Sequence, residues 1–322
     1  MNFWNRKRVL VTGGSGFLGS HLVEALTARG CRQIFVARSQ DFDLVEGEAV
    51  RRLYAQACPE LVIHLAARAG GIGANLAEPA RFFYDNLLMG LQMIEVGRQV
   101  GIKKFVAIGT TCCYPACTPL PLKEEHLWNG YPADATAPYG LAKRMLLVQA
   151  QTYRKQYGFN AIFLMPTNLY GPRDNFEVDR SHVIAALIRR FVAAVQHKEA
   201  EVAVWGSGRA TREFLYVIDA AEGILLAAEK YNESDPINLG TGVEVSVRTL
   251  AETVAGLTGF RGKIVWDTSR PEGQPRRWLD VSKARERFGF QAKVSLEEGL
   301  RKTIDWYAKQ TSGKTVARGV CL

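Results

Sequence analysis

Tyr139 and Lys143 stand four residues apart in Ala137-Pro138-Tyr139-Gly140-Leu141-Ala142-Lys143, where Pro138 suits the first turn of a helix. One helical turn separates them, so a phenol and an ammonium face the same way. A fixed positive charge favours the phenolate and is expected to lower the pKa of Tyr139 towards the working range. Tyr139 can then pass a proton to or from an oxygen. Such a pair also occurs on ordinary amphipathic helices, so the elements that position it carry the decision.

Those elements begin with Arg8 to Thr12, a β-branched run that leads into Gly13-Gly14-Ser15-Gly16-Phe17-Leu18-Gly19, after which Leu22, Val23 and Leu26 recur at helical spacing. Strand, glycine turn and helix follow one another. Gly13, Gly16 and Gly19 lack a Cβ and let the backbone approach a pyrophosphate, whose charge a helix N-terminus favours; Ser15 and Phe17 join them as expected cofactor contacts. A second strand is predicted over 33–37, ending in Arg38-Ser39. An acidic residue there would hold the ribose hydroxyls of NAD, whereas arginine suits a 2′-phosphate, so NADPH is expected. Asp41 and Asp43 lie close enough to leave NAD open.

Leu61 to Ala66 reads as a buried parallel strand running into small residues as far as Gly73, with Ala66 placed at the cofactor. A helix is predicted around 82–100 and a strand over 104–108, which ends in Gly109-Thr110-Thr111-Cys112-Cys113-Tyr114-Pro115. Ligands of a doubly wound sheet bind beyond the carboxyl ends of its strands, so these hydroxyls and thiols should project into a site. The helix of Tyr139 follows, then a strand over 161–165. This alternation predicts an α/β fold, a doubly wound parallel sheet spanning residues 1–167. Asn168 to Pro172 reads as a turn and 181–197 as a helix with Arg189 and Arg190. Residues 168–322 are expected to form mainly a smaller substrate lobe, with some segments between 213 and 240 rejoining the sheet. Short strands over 202–205, 236–239 and 263–265 and helices over 218–230, 247–257 and 296–309 complete the pattern, and the chain from Thr311 is expected to be loose.

The chain has 322 residues, enough for a substantial core, and a formal net charge of +9. Its basic residues are scattered without a nucleic-acid motif, so a phosphorylated small molecule is the expected partner and nucleic acid is not. Met1 to Arg8 is short and polar and no apolar run approaches a bilayer span, which predicts a cytoplasmic protein without a membrane partner. Cys31, Cys58, Cys112, Cys113, Cys117 and Cys321 lack metal-binding spacing, so neither a disulfide framework nor a metal is expected. Cys113 and Cys117 receive no role, and Phe82, Phe83 and Leu87 are expected in the core or a dimer contact.

The glycine turn, Thr110 after the fourth strand and Tyr139-x-x-x-Lys143 together resemble the extended short-chain dehydrogenase/reductase family, whose fold is of the Rossmann type. A closer similarity is to members that epimerise and reduce GDP-4-keto-6-deoxy-D-mannose with NADPH. It rests on Gly70-Gly71-Ile72-Gly73-Ala74-Asn75, Cys112-Cys113-Tyr114-Pro115, the block from Met165 to Phe176, Ser181-His182-Val183-Ile184, Trp205-Gly206-Ser207-Gly208 and Arg212-Glu213-Phe214-Leu215. The match extends to about Phe290.

This resemblance implies a GDP-sugar substrate and a homodimer packed through the helices near Phe82 and Tyr139. It implies that Cys112 and His182 are an epimerisation acid/base pair and that Thr110, Tyr139 and Lys143 serve the carbonyl. Asn168 would touch cofactor and substrate, and Arg190, Trp205, Arg212 and Arg277 the GDP-sugar, with Arg189 and Arg209 beside them. Arg270, Arg276 and Arg277 around Pro271-Glu272-Gly273 form a candidate lid over the nucleotide. Thr110 replaces the family's usual serine and leaves the exact sugar open; Ser15 stands where some NADPH-using members have arginine, and the segment after Arg38 aligns only to within a residue. An enzyme that only epimerises or only reduces a related GDP-sugar remains an alternative, as does a non-catalytic dinucleotide sensor, although a sensor needs no proton-transfer set.

Overall fold

Short, continuously apolar strands, covered on both faces, explain the central layer. In the computed structural model, which describes residues 2–178, 181–269 and 273–316, six strands form one sheet. Their order is Ile237–Leu239, Ala161–Pro166, Lys104–Ile108, Leu61–His64, Arg8–Thr12 and Gln33–Ala37, all pairs parallel. The three strands beginning at Ala161, Lys104 and Leu61 are buried at every position, because helices cover both faces. Leu10, Val62, Phe105 and Phe163 point to one face and pack with Leu53, Ile94 and Leu146. Val9, Val11, Ile63, Val106 and Ile162 point to the other and pack with Leu22, Leu26 and Ile224. A third cluster of Ile184, Phe191, Val202, Val204, Leu250 and Val254 belongs to the C-terminal lobe.

The elements differ from the sequence reading in several places. Gly47–Ala57, Ile72–Ala77 and Ser282–Phe288 are helices absent from the sequence reading, the last two being very short. Asn168–Tyr170 is a strand rather than part of a turn, since it pairs in parallel with Phe214–Tyr216; the chain turns only at Gly171. The final helix, Leu296–Val316, continues past Thr311, whose hydroxyl donates to Tyr307 O at 3.1 Å. Arg270, Pro271 and Glu272 of the candidate lid, and Cys321, lie outside the described residues.

One carboxylate joins the sheet to the lobe. Glu213 is completely buried, and its oxygens accept from the N–H groups of Thr241 (2.5 Å), Gly242 (2.8 Å) and Leu279 (2.7 Å). Its backbone oxygen accepts from Thr167 Oγ1 and Asn168 Nδ2. A buried charge with this many donors ties three distant segments to one point, since leaving any of the donors unpaired there is costly.

Candidate active site

Arg8–Thr12 lies between Gln33–Ala37 and Leu61–His64, so the chain leaves it where the strand order reverses, a crevice at the carboxyl end of the sheet. The glycine turn occupies this position. Gly16 N donates to Gly13 O at 3.0 Å, and the helix Phe17–Ala28 begins at once with no side-chain cap on its first N–H groups. Those groups and the positive helix end suit a pyrophosphate. A Cβ at Gly19 would overlap Gly13 O, so glycine is required where helix crosses strand. Ala66 N donates to Thr12 Oγ1 (3.2 Å), which also pairs with His64 Nδ1 (2.8 Å), fixing the exit of the third strand beside the turn. Burial, with Lys143 adding to it, lowers His64 to about 3, so it stays neutral. Ser15 is exposed, and so is Arg38, whose carbonyl accepts from the N–H groups of both Asp41 and Phe42.

Ala137–Tyr157 starts with Pro138 in its first turn and carries Tyr139 and Lys143. The Tyr139 ring meets Phe82 edge-on at 6.2 Å, and Lys143 is buried. Desolvation pushes the phenol of Tyr139 up, with Cys112 and Cys113 adding to the rise, and lowers Lys143 to about 8. This corrects the expectation that Lys143 draws the phenol towards the working range: burial drives both groups towards their neutral forms. Tyr139 is thereby held in the state that can donate a proton.

Thr110 caps the short turn Thr111–Cys113, its Oγ1 accepting from Cys112 N at 3.2 Å and keeping its own proton for another acceptor. A Cβ at Gly140 would overlap Cys112 O, so this turn lies flush against the helix between Tyr139 and Lys143. Two arginines hold it there. Arg144 donates from Nε to Cys113 O (3.0 Å) and from Nη1 to Gly130 O (3.3 Å), and Arg277 Nη2 donates to Thr111 O (2.6 Å). Cys113 is sealed in, its thiol pushed up to about 12 by burial, whereas Cys112 is partly open beside Tyr139.

His182 is the N-cap of Val183–His197 but makes no capping bond through its side chain, so the imidazole is available; desolvation lowers its pKa and favours the neutral base. Ser181 O lies 3.6 Å from the Cβ position of Gly71, so the 70–75 loop connects the His182 segment to the neighbourhood of Phe82 and Tyr139. Asn75 Nδ2 locks that loop by donating to the oxygens of Gly70 and Gly71, each at 3.0 Å. On the lobe, the Arg190 guanidinium lies 5.2 Å above the exposed Trp205 ring while Nη1 donates to Ala203 O (2.8 Å). Arg212 Nη2 and Ile72 Cδ1 both stand 3.2 Å from the Cβ position of Gly273, which brings lobe and loop together. Asn168 Nδ2 donates to Glu213 O at 2.9 Å.

Other expected residues have partners within the fold. Arg277 clamps the Cys112 turn, Arg276 pairs with Glu244 at 2.6 Å, and Arg209 is exposed with its backbone N–H on Ser207 Oγ. Phe82 is buried and Phe83 exposed. Arg144 and Glu213 are positioning residues that the sequence reading missed; the adjacency of Arg144 to Lys143 was the signal for the first. Asp174 was also passed over, although burial raises its carboxyl to about 7 despite a 2.7 Å bond from Asn175 N. Among the described residues no cluster of His, Cys, Asp or Glu suits a metal, and no helix is long and apolar enough to cross a membrane.

Residues 9–240 match the model of the NAD dependent epimerase/dehydratase family. The chain is 40% identical over 303 residues to a probable GDP-L-fucose synthase 1 of Oryza sativa subsp. japonica, covering 94% of this chain and 92% of that protein. It is 36% identical to the GDP-L-fucose synthase of Escherichia coli, covering 94% of this chain and 97% of that protein. The solved structure of a GDP-L-fucose synthetase from Naegleria fowleri bound to NADP has a TM-score of 0.89 at 30% identity, covering 97% and 96% of the two chains. A GDP-6-OMe-4-keto-L-xylo-heptose reductase from C. jejuni superposes with a TM-score of 0.90 at 29% identity, covering 96% and 100%.

Proposed function

The chain belongs to the NAD dependent epimerase/dehydratase family, and we propose that it has GDP-L-fucose synthase activity, the NADPH-dependent 3,5-epimerisation and 4-reduction of GDP-4-keto-6-deoxy-D-mannose. The observation that carries this reading is the contact between the Thr111–Cys113 turn and the helix of Tyr139, which sets a thiol, a hydroxyl and a protonated phenol side by side.

A 4-keto group acidifies the hydrogens on the adjacent carbons, and the enolate needs donors at its oxygen. Thr110 and Tyr139 supply them. Inversion requires proton removal on one face and return on the other; Cys112 and the neutral His182, on separate segments, take those parts. In the reduction Tyr139 gives its proton to the C4 oxygen, and Lys143 recharges it and holds the ribose. The cofactor is held by Gly13, Ser15, Gly16, Phe17 and Gly19, by Arg38 at the second strand and by Ala66 and Asn168; the uncapped helix start fits its pyrophosphate. Bound there, the nicotinamide supplies hydride to C4. Asn168, Arg190, Trp205 and Arg212 bind the GDP-sugar directly, while Arg277 acts there through the turn it clamps.

In this reading residues 1–167, with the strand Ile237–Leu239, form the dinucleotide domain and 168–322 mainly the substrate lobe, in a cytoplasmic enzyme. Pro79–Gln99 and Ala137–Tyr157 pack together and expose Phe83, Tyr84 and Tyr157, a surface for a two-fold four-helix contact. Light scattering at micromolar concentration is expected to give twice the chain mass; a monomer mass removes the dimer.

Incubation with GDP-4-keto-6-deoxy-D-mannose should consume NADPH and yield a product inverted at C3 and C5. A second reading, a 4-ketoreductase of another GDP-sugar, is favoured by the likeness to the heptose reductase and by the extra methyl of Thr110. It predicts NADPH consumption without inversion.

A further inference from the structure

Two arginines beside the second strand meet no anion. Arg38, just beyond Gln33–Ala37, and Arg52, within Gly47–Ala57, line one open hollow of about 480 Å³ with Val36, Asp41 and Gln56. Both are exposed, and neither guanidinium has an ion pair or hydrogen bond among the described residues, whereas the neighbouring Arg51 pairs with Glu48 at 3.2 Å. Asp41 is the one carboxylate among the residues that line the hollow, so the balance of charge there is positive.

The hollow adjoins the glycine turn. Val36 Cγ1 lies 2.8 Å from the Cβ position of Gly14, so the wall of the hollow touches the loop suited to the pyrophosphate. Arg38 is held in place by the two N–H groups that close on its carbonyl. A helical side chain leans towards the N-terminus of its helix, which for Arg52 is the end reached by the chain from Arg38, at the carboxyl edge of the sheet. Ser15 brings no charge to the glycine turn, and Arg38 and Arg52 are the cations among the residues that line the hollow.

We infer that Arg52 is a second anchor for the 2′-phosphate of the cofactor, forming with Arg38 a two-armed anion site between strand end and helix. This rests on the NADPH reading above. One exposed arginine is screened by water and salt, whereas two from separate elements grip a dianion from two sides and also fix its position. Gln56, one turn beyond Arg52, adds an amide donor to the same wall.

The test is calorimetric titration of the full chain with adenosine 2′,5′-bisphosphate and with 5′-AMP, which differ only in the 2′-phosphate, for the parent, Arg38→Gln and Arg52→Gln. The parent should prefer the bisphosphate, and Arg52→Gln should weaken the bisphosphate by about tenfold while leaving 5′-AMP unchanged. Retention of the parent's full preference by Arg52→Gln overturns the inference and leaves the NADPH reading standing. Equal weakening of both nucleotides also overturns it, since Arg52 then merely supports the fold. A parent without any preference overturns the NADPH reading and this inference together.

Discussion

Tyr139→Phe is expected to lower ketone reduction by roughly 10²–10⁴-fold, the range for loss of a general acid. In the proposed reduction the phenol gives its proton to the C4 oxygen, and its burial beside Phe82 and Cys112 keeps that proton in place. Phenylalanine preserves the ring contact and removes only the hydroxyl, so NADPH binding should change little. Stopped-flow decay of NADPH absorbance at saturating sugar reads the step directly; a loss smaller than tenfold would mean that another group delivers the proton. Ring-hydrogen exchange should be weakened in this variant yet survive, because Thr110 still faces the enolate oxygen with a free proton.

Cys112→Ser should do the reverse. A hydroxyl is a far weaker acid than a thiol and cannot take its turn as base at neutral pH, so incorporation of solvent deuterium into the sugar ring should fall by on the order of 10²-fold or more. The turn itself should persist, since its restraints are the Cys112 N–H on Thr110, Arg144 on Cys113 O and Arg277 on Thr111 O, none of which involves the sulfur. NADPH binding should therefore be unchanged. The measurement is NMR of the sugar in deuterated buffer without cofactor. Full exchange in the variant, or none in the parent, would leave simple ketoreduction as the better account.

The sheet was legible because its strands are short apolar runs followed by punctuation: Arg8–Thr12, Gln33–Ala37 and Lys104–Ile108 have the bounds expected from sequence. Asn168–Tyr170 was hidden because a three-residue strand has no periodicity, and the Asn, Gly and Pro around it imitate a turn. Gly47–Ala57 was missed although its buried residues, Ala49, Val50, Leu53 and Tyr54, recur at helical spacing. At the site, Tyr139, Lys143, Thr110 and Cys112 could be named from spacing and resemblance. The direction of the Tyr139 shift could not, because desolvation is a property of the surroundings and a sequence shows only the neighbouring charge. Nor could the sequence show that Arg277 also grips a backbone carbonyl 166 residues earlier.

Gly140 is the point at which the Cys112 turn and the helix of Tyr139 and Lys143 bear on one another. With no side chain between the helix and the Cys112 carbonyl, the spacing of the thiol from the phenol is set by backbone against backbone, so a methyl added here would lever the two apart.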